Sequence, residues 1–195
     1  MSVNPSSQST LNRASKDKFI LVLELPNVLK KQSLTDSTLD IEKLQVSVYG
    51  SVVPPISVPA VEVRYGGQSA NYSSHSRPNY PPLNVNFLVD NQYSNYYVLW
   101  KWLALLNDPR SSTYTGTPVN QVSVKNLLEN GNNAEYQTNL SILALNEYDK
   151  AVVEFKYYNA FITNLGGINY SYRDGDIIDS TVEFQYSQLD IIKPS

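Results

Sequence analysis

The chain has 195 residues, of which 42% are hydrophobic and 17% are charged. That length supports one domain with a substantial core, and that composition excludes a highly charged disordered chain. The net charge of −3 disfavours binding to nucleic-acid phosphates, which requires an excess or a patch of Lys and Arg. Because cysteine is absent, disulfides, thiolate metal sites and cysteine nucleophiles are excluded.

The chain divides into a polar N-terminal arm and one larger unit. Residues 1–18 are polar and lack the apolar core of a secretory signal, so they are predicted to form a flexible arm. Residues 19–195 are predicted to form a single β domain, in which residues 110–136, rich in Ser, Thr, Asn and Gly, are a loop insertion. The most apolar stretch, Tyr96 to Leu106, is too short to span a membrane, and no membrane partner is expected.

The N-terminal half begins with two strand-like segments. The nearly continuous apolar run from Phe19 to Leu25, closed by Pro26, predicts a strand buried on both faces. The alternation from Leu44 to Val53 predicts a second strand, which Pro54 ends.

The next segment, Ile56 to Tyr65, is rich in β-branched residues and ends at Gly66-Gly67. We predict that it forms a hairpin or a corner with the preceding strand, turned at the prolines. Serines, asparagines and prolines dominate Gln68 to Pro82, which is therefore predicted to be a surface loop.

The centre of the chain changes from a strand period to a helical one. Leu83 to Val89 alternates and predicts a strand. From Tyr93 to Leu106 apolar residues recur at helical spacing in two adjacent stripes, which predicts one helix that packs on the sheet and touches a further surface. Trp100 and Trp102 lie in this helix and are expected to pack rather than to bind a ligand.

The C-terminal third is rich in strand patterns. In the last of them Val182, Phe184 and Tyr186 share one face. The predicted strands are Thr138–Leu145, Ala151–Tyr158, Ile168–Tyr172 and Thr181–Ile192. With about eight strands and one helix, the predicted class is mainly β: an antiparallel β-sandwich or rolled barrel with one α-helix.

The sequence offers no recognisable catalytic or metal-binding constellation. His75 is the only histidine and is predicted to be an exposed loop residue. Asp174, Asp176 and Asp179 surround Gly175 but lack calcium-loop spacing, so a solvated turn is expected rather than a metal site. We therefore expect no catalytic residue, no metal and no cofactor.

The C-terminal block carries a recognisable order of residues. It contains FITNLGGINYSY from Phe161, then an acidic turn, then DSTVEFQY from Asp179. This order resembles the end of the contractile-phage tail tube family, which is related to type VI secretion tube proteins. In that pattern "Phe-Pro-x-x-Ile/Leu-Gly" precedes an acidic turn and a closing "Val-x-Phe-x-Tyr" strand. The matching positions are Phe161, Leu165, Gly166, Ile168, Tyr170, Asp179, Val182, Phe184 and Tyr186.

The resemblance implies a structural virion protein without enzymatic activity. Subunits of such a family form hexameric rings that stack into a tube, and DNA passes through the lumen without sequence-specific binding. The implied partners are other copies of the chain, the tail sheath, the baseplate and the tape-measure protein. The implied location is the virion tail, assembled in the host cytoplasm. Fifteen tyrosines and a low charge suit interface surface.

Some residues depart from the family pattern. Ile162 stands where the family has proline, and residues 110–136 resemble an insertion. These departures leave two alternatives: a baseplate tube-initiator protein of the same fold, or a tube of the related type VI secretion kind. A carbohydrate-binding β-sandwich is a further alternative, since exposed Tyr and Trp beside Asn and Asp side chains could stack on sugars and hydrogen-bond them.

Overall fold

Antiparallel strands dominate the computed structural model, which describes residues 14–33, 47–76, 78–106, 136–173 and 175–193. Two helices accompany nine strands in these parts of the chain. The helices are α1 (Asn27–Ser33) and α2 (Ser94–Leu106). The strands are β1 (Phe19–Leu23), β2 (Val48–Val52), β3 (Ala60–Tyr65), β4 (Gln68–Ser73), β5 (Leu83–Leu88), β6 (Thr138–Leu145), β7 (Ala151–Leu165), β8 (Asp179–Gln185) and β9 (Gln188–Ile192).

The long strand β7 connects two sheets. Its first part, Ala151–Ala160, pairs with β6 on one side and with β9 on the other, and β6 pairs in turn with β1. Its last part, Phe161–Leu165, pairs with β8, which continues through β5 to β2. We call the group β1, β6, Ala151–Ala160 and β9 the first sheet, and the group Phe161–Leu165, β8, β5 and β2 the second sheet.

A bulge lets β7 pass from one sheet to the other. Asn159 is buried and has a φ of 56°, and the register of β6 against β7 shifts between Thr138 and Leu140, opposite this position. An extra residue in one strand bends it and increases its twist, and Asn tolerates positive φ better than most residues. On the other side of β7, the pairing partner changes from β9 to β8 at the same level. There the Ser187 amide donates to the Tyr158 carbonyl at 3.0 Å.

One face of each sheet and one side of α2 form a common core. The predicted alternation is confirmed: Leu83, Val85 and Phe87 of β5 are buried, and so are Val182, Phe184 and Tyr186 at β8. Trp102 of α2 is fully buried, with its ring centroid 5.8 Å from that of Phe184. Its indole N–H donates to the Tyr136 carbonyl at 2.9 Å, so this buried donor is satisfied.

The N-terminus of α2 is fixed by a buried amide. The Asn95 side chain donates to the Leu88 carbonyl at 2.7 Å and to Ser47 Oγ at 3.0 Å, and it accepts from the Asp90 and Tyr96 amides. Asp90 Oδ1 also accepts from the Ser94 amide at 2.8 Å. This network holds the helix against the end of β5. Neither described helix has the length and apolar character needed to cross a membrane.

The predicted fold class is confirmed, and several elements differ from prediction. The first strand is buried on one face only, because β1 lies at the edge of the first sheet with Ile20 and Val22 exposed. A second helix, α1, follows Pro26 where none was predicted. Residues Leu44 and Val46 of the predicted second strand, and residues 110–135 of the predicted insertion, lie outside the described residues.

Of the two arrangements predicted around the prolines, a hairpin or a corner, the hairpin is wrong. The strand β2 pairs with β5, far along the chain, rather than with β3. The strand β3 instead pairs with β4 across Gly66-Gly67, so the start of the predicted Gln68–Pro82 loop is a strand. Both glycines have positive φ, at 59° and 82°, as a two-residue hairpin turn requires.

The C-terminal third also departs from prediction in two places. No strand forms at Ile168–Tyr172, because this segment leaves β7 as part of the irregular connection to β8. The predicted last strand is two strands, β8 and β9, separated at Tyr186-Ser187, where pairing with β7 passes from one half of that strand to the other.

Candidate assembly surface

The polar residues singled out in the sequence do not form a metal site within the described parts of the chain. No group of three His, Asp or Glu side chains could hold a metal ion among them. His75 lies in an exposed loop, as predicted, with a φ of 53°. An open cleft of about 460 Å³ lies between residues 167–171 and 176–179 and includes Asp176 and Asp179. Asp174, the third acid predicted in this turn, lies outside the described residues.

Asp179 makes a structural contact at the start of β8. Its carboxylate accepts from the Tyr49 hydroxyl at 2.8 Å, which joins the beginning of β8 to β2 across the second sheet. The same hydrogen bond is the main cause of a raised pKa for the Tyr49 phenol. Asp179 therefore links two strands of the second sheet.

The motif residues of the C-terminal block fall into two groups. Buried or partly buried positions build the core: Phe161, Leu165, Val182, Phe184 and Tyr186. The others lie around the irregular connection that follows β7. Tyr170 is 67% exposed, and its hydroxyl lies 3.3 Å from that of Tyr93 before α2. Ile168 is half-buried.

Gly166 sits where two backbones approach each other. Its amide donates to the Thr181 carbonyl, and its own carbonyl accepts from Ser180 Oγ at 3.0 Å and from the Tyr96 hydroxyl at 3.1 Å. A Cβ at this position would lie 2.9 Å from the Thr181 carbonyl oxygen. The glycine of the motif is thus explained by close approach rather than by positive φ.

The β3–β4 hairpin is amphipathic and exposed. All twelve residues of its two strands are exposed, and the strands pair only with each other within the described parts of the chain. Val61 faces Tyr72 and Val63 faces Ala70 on one side, which Tyr65 extends. The opposite side carries Glu62 and Arg64, whose charged groups are 3.1 Å apart.

An isolated two-stranded hairpin is marginally stable in water. One with an apolar side gains stability when that side is covered. Exposed apolar residues also precede β3 along the chain: Val52 at the end of β2, and Ile56 and Val58 in the connection, are each exposed by 45% or more. Sequence analysis missed this arm, although glycines flanked by alternating apolar residues are a hairpin signal.

Both sheets have edges that pair with nothing among the described residues. In the second sheet these edges are β2 at one end and Phe161–Leu165 of β7 at the other. An open edge presents unpaired N–H and C=O groups and is a template for another strand. Two different open edges on one sheet allow copies of a chain to join head to tail.

The outward side of α2 adds aromatic surface. Tyr97 is 36% and Trp100 is 44% exposed, and their rings stack at a centroid distance of 5.8 Å. Trp102 packs in the core as predicted, whereas Trp100 does not. The further surface that the helix was predicted to touch stays a prediction, and Tyr97 and Trp100 are the aromatic residues that α2 leaves exposed.

Comparisons with known proteins agree with this architecture. A family model described as phage tail tube protein matches residues 14–191. No curated protein sequence matches the chain. A chain of the PVC sheath-tube complex of an extracellular contractile injection system is 13% identical with a TM-score of 0.61, covering 99% of this chain and 100% of that one.

Two further solved structures are similar. A chain of the anti-feeding prophage cap, described as a tube terminating cap, is 15% identical with a TM-score of 0.60, covering 100% of both chains. A chain of the anti-feeding prophage baseplate is 12% identical with a TM-score of 0.50, covering 93% of this chain and 97% of that one. At these identities the likeness shows a shared fold.

The family match extends over β1 to β9 and includes the C-terminal block from which the resemblance was drawn. The described surface includes open strand edges and exposed apolar residues. The chain belongs to the phage tail tube protein family.

Proposed function

We propose that the chain is the tube subunit of a contractile tail, forming hexameric rings that stack into a tube for genome delivery. The observation that carries the proposal is the amphipathic β3–β4 hairpin, exposed on every residue while the rest of the fold has a well-packed core. A monomer gains nothing from such an arm. A neighbouring copy that covers Val61, Val63 and Tyr72 would bury apolar surface, and each Å² buried stabilises the contact by about 0.025 kcal/mol.

Within a ring, the second sheet is proposed to continue from one subunit to the next. Strand β2 of one copy would pair with Phe161–Leu165 of its neighbour, since these are the two open edges of that sheet. The two edges differ, so the contact is heterologous. Such a head-to-tail contact closes into a ring when a whole number of the rotations between neighbouring subunits makes one full turn. Closure removes the open edges that make an isolated subunit prone to aggregation.

Between rings, the hairpin is the proposed contact. It extends from the second sheet through Val53–Pro59, which lies beyond the end of β2. An arm of this kind reaches past its own subunit, and its polar side, with Glu62 and Arg64, would remain in solvent. The apolar side would lie on a subunit of the adjacent ring.

The proposed partners follow from the family and from the assemblies in which the fold occurs. They are the tail sheath, the baseplate and the tape-measure protein, with DNA passing through the lumen without sequence-specific binding. The proposed location is the virion tail, assembled in the host cytoplasm. The role is structural, without enzymatic activity, as befits the tail tube family.

Negative-stain electron microscopy of the purified chain, with sedimentation velocity, tests this function. We expect stacked rings with a central hole and a sedimentation profile that shifts to larger species with concentration. A monomer that stays dispersed at high concentration would contradict a tube subunit.

A baseplate tube-initiator of the same fold is the second candidate, because the fold also occurs in a chain of the anti-feeding prophage baseplate. Such a protein would form single rings that do not stack. Electron microscopy separates the two, since a stacking subunit gives side views of tubes many rings long and an initiator gives side views one ring high.

A further inference from the structure

Two exposed surfaces lie towards opposite ends of the second sheet. The β3–β4 hairpin follows the end of β2, where Val52 lies level with Glu183 across β5. The open cleft between residues 167–171 and 176–179 lies instead at the start of β8, which begins at Asp179. At about 3.3 Å per residue, Asp179 and Glu183 are roughly 13 Å apart along the strand.

The cleft continues into a second hollow at the same end of the sheet. That hollow has a volume of about 260 Å³ and is lined by residues 89–91 and Tyr93, between β5 and α2. Ile177 and Ile178 line both spaces, and Ile177 is 73% exposed. Tyr170, which lines the larger cleft, is 67% exposed. An exposed aliphatic residue beside an exposed tyrosine suits contact with protein better than contact with bulk water.

The apolar side of the hairpin matches the cleft in chemistry. This side carries no charged residue, since Val61, Val63 and Tyr65 lie beside Tyr72, Ala70 and Gln68. Its valines can pack on Ile177. Its tyrosine hydroxyls can donate to the carboxylate of Asp176, which is exposed in the cleft, much as the Tyr49 hydroxyl donates to Asp179 at 2.8 Å within the subunit.

The proposed ring turns the two ends of the second sheet into two rims. In a closed barrel each strand is tilted, and its two ends lie at opposite rims. Each ring would therefore carry hairpins at one rim and clefts at the other. Rings stacked in one orientation bring the hairpins of one ring against the clefts of the next, and a heterologous contact of this kind repeats without closing.

We propose that the cleft at the start of β8, lined by Ile177 and Tyr170, is the docking site for the β3–β4 hairpin of a subunit in the adjacent ring. The proposal rests on the proposed function, since adjacent rings exist only in a tube. It names the surface on which the hairpin lies, and it makes the two rims of a ring chemically different. The last ring at one end of a tube would leave its clefts empty.

Cysteine cross-linking tests the contact, because the chain has no native cysteine. The test chain carries Val63→Cys with Ile177→Cys. The control chain carries Val63→Cys with Gln188→Cys, an exposed residue at the start of β9. Assembled tubes and dissociated subunits of each chain are treated with a short bismaleimide and separated on denaturing gels.

The hairpin of each ring meets the cleft of the next, so the test chain in tubes should give a ladder of dimers, trimers and longer products. Dissociated subunits and the control chain should give no ladder. Tubes of the test chain without a ladder, or equal ladders from both chains, would overturn the docking site. Dispersed wild-type monomers in electron microscopy would instead refute the proposed function, whereas wild-type tubes leave the cross-link to decide the site alone.

A charge placed in the cleft gives a second measurement that needs no cross-linker. Ile177→Asp should keep the wild-type thermal unfolding midpoint, because the residue is exposed, but should give side views one ring high instead of tubes. Ile191→Asp, at a residue that is 57% exposed on the first sheet, is the matched control and should form tubes. Tubes of wild-type length from Ile177→Asp would overturn the proposal.

Discussion

At the scale of single residues, the packing around Gly166 gives a sharp prediction. In Gly166→Ala the new Cβ would lie 2.9 Å from the Thr181 carbonyl oxygen and 3.0 Å from its amide nitrogen, both backbone atoms that cannot rotate away. Overpacking of this kind costs about 1–3 kcal/mol. We expect that loss in the free energy of unfolding, measured by urea denaturation followed by circular dichroism.

The neighbouring Gly167 supplies the matched control. A Cβ there would meet no atom within 4 Å, and its φ is not in the left-handed region. Gly167→Ala should therefore change stability by less than about 0.5 kcal/mol. Equal losses in the two variants would show that the loop conformation, rather than contact with Thr181, explains the glycine.

Tyr186 gives a prediction about pH. Burial, with a smaller contribution from Tyr80, raises the pKa of its phenol from 10.0 to about 12. The folded chain therefore resists ionisation more than the unfolded chain does. The stability that this group contributes is complete below pH 10 and is lost as the pH rises from 10 towards 12.

Tyr186→Phe should reduce this alkaline loss of stability without lowering stability at neutral pH. The Tyr186 hydroxyl is buried and has no hydrogen-bond partner among the described residues, so its removal breaks no bond seen there. Urea denaturation across this pH range checks the result, with Tyr148→Phe, whose ring is 66% exposed, as the control. A steeper alkaline loss in Tyr186→Phe than in wild type would contradict this account. Tyr157 remains in both proteins and contributes in the same direction, because burial raises its pKa as well.

At the scale of elements, the β3–β4 hairpin separates folding from assembly. The double variant Val61→Ser, Val63→Ser changes residues that are each 48% exposed and outside the core. Its thermal unfolding midpoint should therefore stay close to that of wild type. Its assembly should weaken, because the apolar side of the arm loses the surface that a neighbouring copy would cover.

The opposite side of the same hairpin provides the control. Glu62→Gln and Arg64→Gln remove an exposed ion pair, and such pairs contribute little to stability. If the hairpin binds through its apolar side, this variant should sediment as wild type does. Assembly that survives loss of the valines but fails on loss of the charges would assign the contact to the polar side instead.

At the scale of the whole molecule, local sequence patterns predicted which residues form the core, but they did not predict the order in which the strands pair. Alternation located β5 and β8 with their buried faces, because those strands each have one apolar and one polar side. The pairing of β2 with β5 was not predictable, since it depends on partners far apart in the chain. The Asn159 bulge, which divides β7 between two sheets, gives no sequence signal beyond one Asn.

The candidate assembly surface could likewise be predicted only in part from the sequence. The C-terminal motif indicated the family, and the family match confirms it. Only the second strand of the hairpin falls in the predicted Gln68–Pro82 loop, because Gln, Ser and Asn fill β4 and exposed strands need no apolar residues on their solvent side. The open strand edges could not be predicted from the sequence either, because a strand is an edge only when the folded sheet places no neighbour beside it.

The central claim is that neighbouring subunits extend the second sheet through β2 and Phe161–Leu165. A cryo-electron microscopy reconstruction of the assembled tube at strand-resolving resolution tests it most directly. We predict main-chain hydrogen bonds between β2 of one subunit and residues 161–165 of the next, closing a continuous barrel around the channel. A tube whose subunits meet only through side chains, with either edge left unpaired, would contradict this account.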